Sequence, residues 1–288
     1  MIPMKHPNLI IPGFPKSGTT SLHNILCQHK DITGIPRKGG SSFIKEPHTY
    51  TFDRRYAKRA PVACSEKYLI DASTTYLISK TAIDRILLDT PDAKFIVIMR
   101  DPIDRVKSHY NWYATRNVKV KKWSREFYSP LSTPFDPDEH INGAYKRFVQ
   151  FSQYSRLLSQ MLEKVNAKNV LYLYFLDLQA RPDYIAEAVR KFLGIEAFEG
   201  LSSPQLNPSR QRSYVKQVSP LSILPEPVKQ ILRPIINPFR KRKTKHFPKG
   251  EHWEREVFSA LYDDIKAYDN VGVDLDRFEV VSRLLKSQ

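Results

Sequence analysis

Short apolar runs, each too brief for a helix, recur along the chain and are separated by longer stretches of mixed polarity. Leu9 to Ile11, Tyr68 to Ile70, Phe95 to Met99 and Val170 to Phe175 read as buried strands, because β-branched and aromatic residues dominate them. Between the strands, apolar positions fall at helical spacing over Ser21 to His29, Tyr145 to Val165 and Trp253 to Tyr268. In the last of these Trp253, Val257, Leu261, Ile265 and Tyr268 share one face. Asp101 followed by Pro102 pairs a helix N-cap with a first-turn residue, so a further helix should begin directly after the Phe95 to Met99 strand. Strands alternating with helices predict an α/β fold in three layers, with a central parallel sheet flanked by helices, in one domain over residues 1–288.

Between Gln205 and Gly250 the pattern breaks. Eleven Lys or Arg face one acid, Glu226, and seven prolines exclude a single long helix, so a basic set of loops and short turns is expected there. The whole chain carries 46 Lys and Arg against 30 Asp and Glu, a net charge of +16, which favours polyanions, phosphorylated ligands or an anionic membrane face. Cys27 and Cys64 are the two cysteines in 288 residues, too few for a disulfide scaffold or a cysteine zinc site. No basic segment followed by a long apolar one opens the chain, and no apolar run near a motif approaches the roughly 20 residues that span a bilayer. A soluble protein of a reducing, cytoplasmic compartment is the expectation.

Candidate chemistry begins where the first strand runs into Pro12-Gly13-Phe14-Pro15-Lys16-Ser17-Gly18-Thr19-Thr20-Ser21 and a helix. Unpaired N–H groups at a helix start, glycines that allow close approach and four hydroxyls make this an anion cradle. Gly13 and Gly18 have the spacing of a nucleoside-triphosphate loop, yet Thr19 stands where that loop has lysine, and Lys16 lies inside instead. Arg100, at the end of the Phe95 to Met99 strand, offers a forked donor to a phosphate, and Ser108 on the next helix a neutral one. Lys45-Glu46-Pro47-His48 places a carboxylate between a lysine and a histidine, the surroundings of a general base. A capped turn, a solvated charge run and a surface ion pair are the structural alternatives for these segments.

Taken in order, the motifs resemble the sulfotransferases that use 3′-phosphoadenosine 5′-phosphosulfate (PAPS). Lys16, Ser17, Gly18, Thr19 and Thr20 match the family's P-K-S/A-G-T-T/S loop; Arg100, Pro102, Arg105, Ser108 and Tyr110 fill R-x-P-x-x-R-x-x-S-x-Y. Lys45 to His48 is similar to the K-E-x-H segment of the heparan-sulfate-type branch and its bacterial relatives. Asp71 to Leu77 is similar to E-x-S/T-x-x-Y-L, with Ala72 and Thr51 departing from the lysine and aspartate of the heparan enzymes. Gly143 to Tyr145, Asn169 to Phe175, Phe192 to Ile195 and Asn207 to Ser213 look like later family segments.

The resemblance implies a P-loop-like fold and transfer of a sulfuryl group from PAPS to a hydroxyl, without a metal. By the same likeness Lys16, Ser17, Gly18, Thr19, Thr20, Ser21, Arg100, Ser108, Arg210 and Arg212 bind PAPS and its product, adenosine 3′,5′-bisphosphate. Lys16 carries transition-state charge, Glu46 is the base and His48 a second candidate for it. The acceptor implied is a saccharide or glycolipid, anionic or at a membrane surface, with no nucleic-acid partner, and the setting a bacterial cytoplasm. Two readings stay open: a P-loop-like small-molecule kinase, and a noncatalytic polyanion-binding protein that uses the basic Gln205 to Gly250 segment, whose Arg240 to Lys249 run reads either as a cofactor lid or as a solvated charge run.

Overall fold

The computed structural model describes residues 2–37, 42–116, 145, 147–199 and 252–287. A six-stranded sheet runs through it in the order β4, β3, β6, β2, β7, β8. Its strands are β2 (Leu9–Ile10), β3 (Ile32–Pro36), β4 (Phe43–Ile44), β6 (Tyr68–Asp71), β7 (Lys94–Met99) and β8 (Val170–Tyr174). All neighbours pair in parallel except β4, which runs antiparallel to β3 at the edge. A separate antiparallel pair joins β1 (Met4–Lys5) to β5 (Val62–Ala63). The central sheet is therefore mostly rather than wholly parallel.

Helices cover both faces, and the alternation along β7 shows how. Phe95, Val97 and Met99 enter one apolar cluster with α3 (Ala82–Asp89), α4 (Pro102–Arg116), α5 (Tyr154–Leu162), α8 (His252–Lys266) and α9 (Glu279–Leu285). Ile96 and Ile98 enter the other, with α1 (Thr19–Leu26), Leu178 of α6 (Phe175–Ala180), and α7 (Pro182–Leu193). The short α2 (Asp53–Tyr56) lies on the surface side of the chain between β4 and β5, with no buried residue. A strand buried on both faces needs apolar residues at every position, which is why β7 reads as a continuous run.

Asp101 caps α4 as expected: its Oδ1 accepts from the N–H groups of Ile103 (3.0 Å) and Asp104 (3.3 Å). Its Oδ2 accepts from Val280 and Val281 in the first turn of α9, so one carboxyl ties two helix starts together. The helix expected over Tyr145 to Val165 is a different object. Tyr145 lies in a turn, Gln150–Ser152 form a 3₁₀ turn, and α5 begins only at Tyr154. The reason is the buried Arg105 guanidinium, whose Nη2 donates to the Phe148 carbonyl while its Nε donates to Ser152 Oγ (2.6 Å). Ser152 N–H, deprived of the α-helical acceptor, goes to Val149 O instead (2.7 Å).

Candidate active site

The loop after β2 is fixed from below. Phe14, fully buried, packs on Tyr154 with ring centroids 4.3 Å apart, and its N–H donates to Ile98 O (3.3 Å). Arg105 Nη1 donates to Pro15 O (3.2 Å), so the second arginine of the Arg100 to Tyr110 motif holds the loop rather than a ligand. Lys16 then takes a left-handed backbone (φ 72°), and Gly18 follows at φ 95° as the residue before α1. A Cβ on Gly18 would come within 2.8 Å of the Phe175 ring, so both space and conformation call for glycine there. Helix α1 starts at Thr19, two residues earlier than the apolar spacing indicates, and its first-turn N–H groups have no acceptor within the helix.

A cavity of about 640 Å³ opens above this loop at the carboxyl ends of the strands. Lys16, Gly18, Thr19, Thr20 and Ser21 line one wall, and Arg100 and Ser108 another. Ser17 is absent from the wall: it is fully buried, and its N–H is taken by Phe14 O (3.2 Å). That departs from the expectation of a ligand-facing hydroxyl, because the left-handed turn at Lys16 rotates the next side chain inward. Arg100 spreads over the Phe175 ring at 5.0 Å and sits 3.7 Å from Asp104. Arg210 and Arg212, with the rest of the basic segment, lie outside the described residues.

Glu46 lies on the same cavity, among donors. Lys45 Nζ pairs with its Oε1 and also reaches Thr19 Oγ1 (3.0 Å); the Tyr145 hydroxyl donates to Oε2 (2.8 Å), and His48 Nε2 stands 3.5 Å from the same oxygen. Burial by itself would raise this carboxyl, but the His48 hydrogen bond and the charge of Lys45 override it and hold the group at about 2. His48 is buried, in a left-handed conformation (φ 53°). Its Nδ1 is 2.8 Å from Thr75 Oγ1, itself 2.6 Å from Thr51 Oγ1, and its N–H donates to Ser73 Oγ (2.8 Å). Asp71, at the end of β6, completes the support by accepting from Ser73 N–H (2.9 Å), Ser73 Oγ (2.6 Å) and the Tyr76 hydroxyl (2.5 Å). Two strained backbones at Lys16 and His48 are over-determined by these contacts, as strained residues at working sites commonly are.

Lys45 was visible as a partner of the Glu46 carboxylate and Tyr145 and Phe175 only as members of motifs, without a role, while Trp112 and Gln179 of the cavity wall had no signal in the sequence. Thr51 and Ala72, the two departures from the heparan enzymes, are both buried. Thr51 belongs to the support beneath His48 and Ala72 to an apolar cluster. Among the described residues no cluster of His, Cys, Asp and Glu could hold a metal ion, and no helix is long and apolar enough to cross a membrane.

The loop with Lys16, the Arg100 guanidinium and the Lys45–Glu46 pair meet at one cavity, set on a mostly parallel sheet. The family model for the sulfotransferase domain matches residues 6–252, and the chain belongs to that family of sulfate-transferring enzymes. Among curated proteins it is 26% identical over 200 residues to human bifunctional heparan sulfate N-deacetylase/N-sulfotransferase 2, covering 67% of this chain and 22% of that protein. To the corresponding enzyme 1 of Xenopus tropicalis it is 24% identical over 202 residues, covering 66% and 22%. The chain thus spans under a quarter of the length of these relatives. The fold is that of the sulfotransferase from Alicyclobacillus acidocaldarius, with a TM-score of 0.61 at 18% identity over 94% of this chain and 98% of that one. It is also close to the sulfotransferase domain of the Synechococcus PCC 7002 olefin synthase, with a TM-score of 0.50 at 17% identity over 94% and 96%.

Proposed function

We propose that the chain transfers a sulfuryl group from PAPS to a hydroxyl of a saccharide or glycolipid acceptor. The observation that carries this reading is the make-up of one cavity: three cations, Lys16, Lys45 and Arg100, against one carboxylate, Glu46, with the start of α1 between them. Such a wall suits a ligand with two separated anionic groups. Bound PAPS supplies an activated sulfur–oxygen bond whose cleavage leaves the 5′-phosphate. Lys16 and the N–H groups of α1 hold the charge that collects on that phosphate, and Arg100 and Ser108 hold the 3′-phosphate.

Glu46 receives the acceptor proton. The His48 hydrogen bond and the charge of Lys45 keep its carboxylate ionised but weakly basic. An anionic donor beside Lys45 competes for that ammonium group and returns basicity to Glu46 when a donor is present. His48, 3.5 Å from the same oxygen, takes the proton onward or replaces Glu46 as base. The names of the curated relatives favour a second reading for the acceptor, an amine on a sugar, which the same base would serve.

The test is release of adenosine 3′,5′-bisphosphate from PAPS with four acceptors: a heparan-type oligosaccharide with free amines, its N-acetylated counterpart, a neutral oligosaccharide and a glycolipid. Turnover with the N-acetylated chain, the neutral sugar or the glycolipid supports the hydroxyl reading, and turnover confined to the free amines replaces it. ATP and Mg²⁺ dependence with any of them would overturn the reading in favour of a kinase.

A further inference from the structure

His109 follows Ser108 on α4 and forms part of the cavity wall, apart from the Lys16 loop, Arg100 and the Glu46 pair. Its ring is fully buried among aromatic neighbours: Phe148 at 5.0 Å between centroids, Phe151 at 5.6 Å, Tyr145 at 5.9 Å and Trp112 at 6.0 Å. Nδ1 lies 3.1 Å from Arg105 Nη1. A guanidinium nitrogen can only donate, so Nδ1 accepts and the single proton of the neutral ring sits on Nε2. Burial, reinforced by the charges of Arg105 and Lys16, holds the ring well below the ordinary histidine range and so keeps it neutral.

Nε2–H is then a donor of fixed direction, and it has no acceptor among the described residues. Buried donors are nearly always satisfied, so one left over on the wall of a binding cavity marks the place of a ligand oxygen. The surroundings say which oxygen. Beside the ring lie Trp112, with Lys16 Nζ 5.9 Å from its ring centroid, and Tyr145, whose hydroxyl donates to Glu46; the two rings are 5.2 Å apart, so His109 meets the point where the lysine side and the base side of the cavity come together. The group in transfer has to lie between the loop lysine and the base, because sulfur is attacked by the acceptor from the side opposite the leaving phosphate.

We propose that His109 is a further catalytic residue, whose Nε2–H donates to a nonbridging oxygen of the sulfuryl group during transfer. The inference rests on the sulfotransferase reading given above and adds to it a neutral donor beside a charged one. A neutral donor gives direction to the sulfuryl group without strengthening the hold on the desulfated product, whose phosphates remain with Lys16, Arg100 and Ser108.

Two substitutions separate this from a purely structural role. His109→Asn keeps an acceptor near the position of Nδ1 for Arg105 and loses the donor; His109→Gln keeps a donor near the position of Nε2 and loses the acceptor. Turnover of PAPS, affinity for PAPS and for adenosine 3′,5′-bisphosphate, and melting temperature are measured for both. The expected result is a loss of about 10²-fold in turnover for His109→Asn, with product affinity and melting temperature close to the parent, and recovery of most of that loss in His109→Gln. A fully active His109→Asn beside a dead His109→Gln would reduce His109 to a support for Arg105. Equal loss of affinity for PAPS and product, or a rise confined to the acceptor KM, would place the hydrogen bond elsewhere and overturn the proposal. Failure of the parent protein itself to bind adenosine 3′,5′-bisphosphate would instead overturn the sulfotransferase reading on which the inference stands.

Discussion

Strands β6 and β7 end at the same cavity and finish in opposite ways. At the end of β6, Asp71 is fully buried, accepts three hydrogen bonds and is pushed up to about 6 by burial despite them. It sees no solvent, and its work is to hold Ser73, and through Ser73 the backbone of His48. At the end of β7, Arg100 is only partly buried, rests on an aromatic face and keeps a long contact to Asp104 that an anion can displace. One strand end spends its polar groups on rigidity and the other leaves them open to a ligand. Substitutions at the two ends should therefore be told apart by what they damage.

The largest effects belong to the open wall. Glu46→Gln should lower turnover by roughly 10²- to 10⁴-fold while leaving product binding intact, since the amide cannot take a proton. Lys16→Ala should lose about 10²- to 10³-fold in turnover, measured at saturating PAPS, through the charge it no longer offers. A Glu46→Gln protein that stays active while His48→Ala is dead would move the base to His48.

At the closed end the first readout is stability. Arg105→Met deprives Pro15 O and Phe148 O of their donor and Ser152 Oγ of a partner, and should cost about 3 kcal/mol, seen in urea unfolding. Loss of turnover should follow, because the loop that carries Lys16 hangs from Pro15. Thr75→Val removes the hydroxyl between His48 Nδ1 and Thr51, and should cost about 1 to 2 kcal/mol with product affinity unchanged.

The comparison also shows in pH dependence, where the two kinds of carboxyl have opposite signs. Glu46 is held near 2, below its ordinary 4.5, so its contribution is present above about 4.5 and is lost as pH falls toward 2. Asp71 is raised from 3.8 to about 6, so the folded state binds the proton more tightly. Its contribution is present below about 3.8 and is lost as pH rises through 6. Glu46→Gln should flatten the acid limb of a melting-temperature profile, and Asp71→Asn the decline between pH 4 and 6. A profile in which each variant changes the other's window would contradict the assignment of these two environments.

The open wall was also the more legible part of the molecule. Lys16, Gly18, Arg100, Ser108 and the Lys45 to His48 segment carry their chemistry in residue type and spacing, and β2, β6, β7 and β8 in continuous apolar runs. The closed side was opaque for a physical reason. Its parts are a histidine, two threonines, a serine and a tyrosine that come together from positions 48, 51, 73, 75 and 145; the segments that hold His48, Ser73, Thr75 and Tyr145 were visible as motifs, but nothing local shows that they bond to one another. Arg105 was legible as a motif member, but its removal of the Phe148 carbonyl from a helix was not, so apolar spacing over Tyr145 to Val165 read as one helix. Strand β3 was missed because Thr33, Gly34 and Pro36 interrupt its apolar character, although three of its residues pair with β6.

The central claim, that this cavity holds a nucleotide with phosphates at both the 3′ and 5′ positions, is tested most directly by comparing the melting temperature with adenosine 3′,5′-bisphosphate, AMP and ATP at equal concentration. A ligand raises it according to its occupancy of the folded state. The account predicts a clear rise with adenosine 3′,5′-bisphosphate, little with AMP or ATP, and loss of that preference in Arg100→Ala. Equal shifts with all three, or a larger one with ATP, would contradict it.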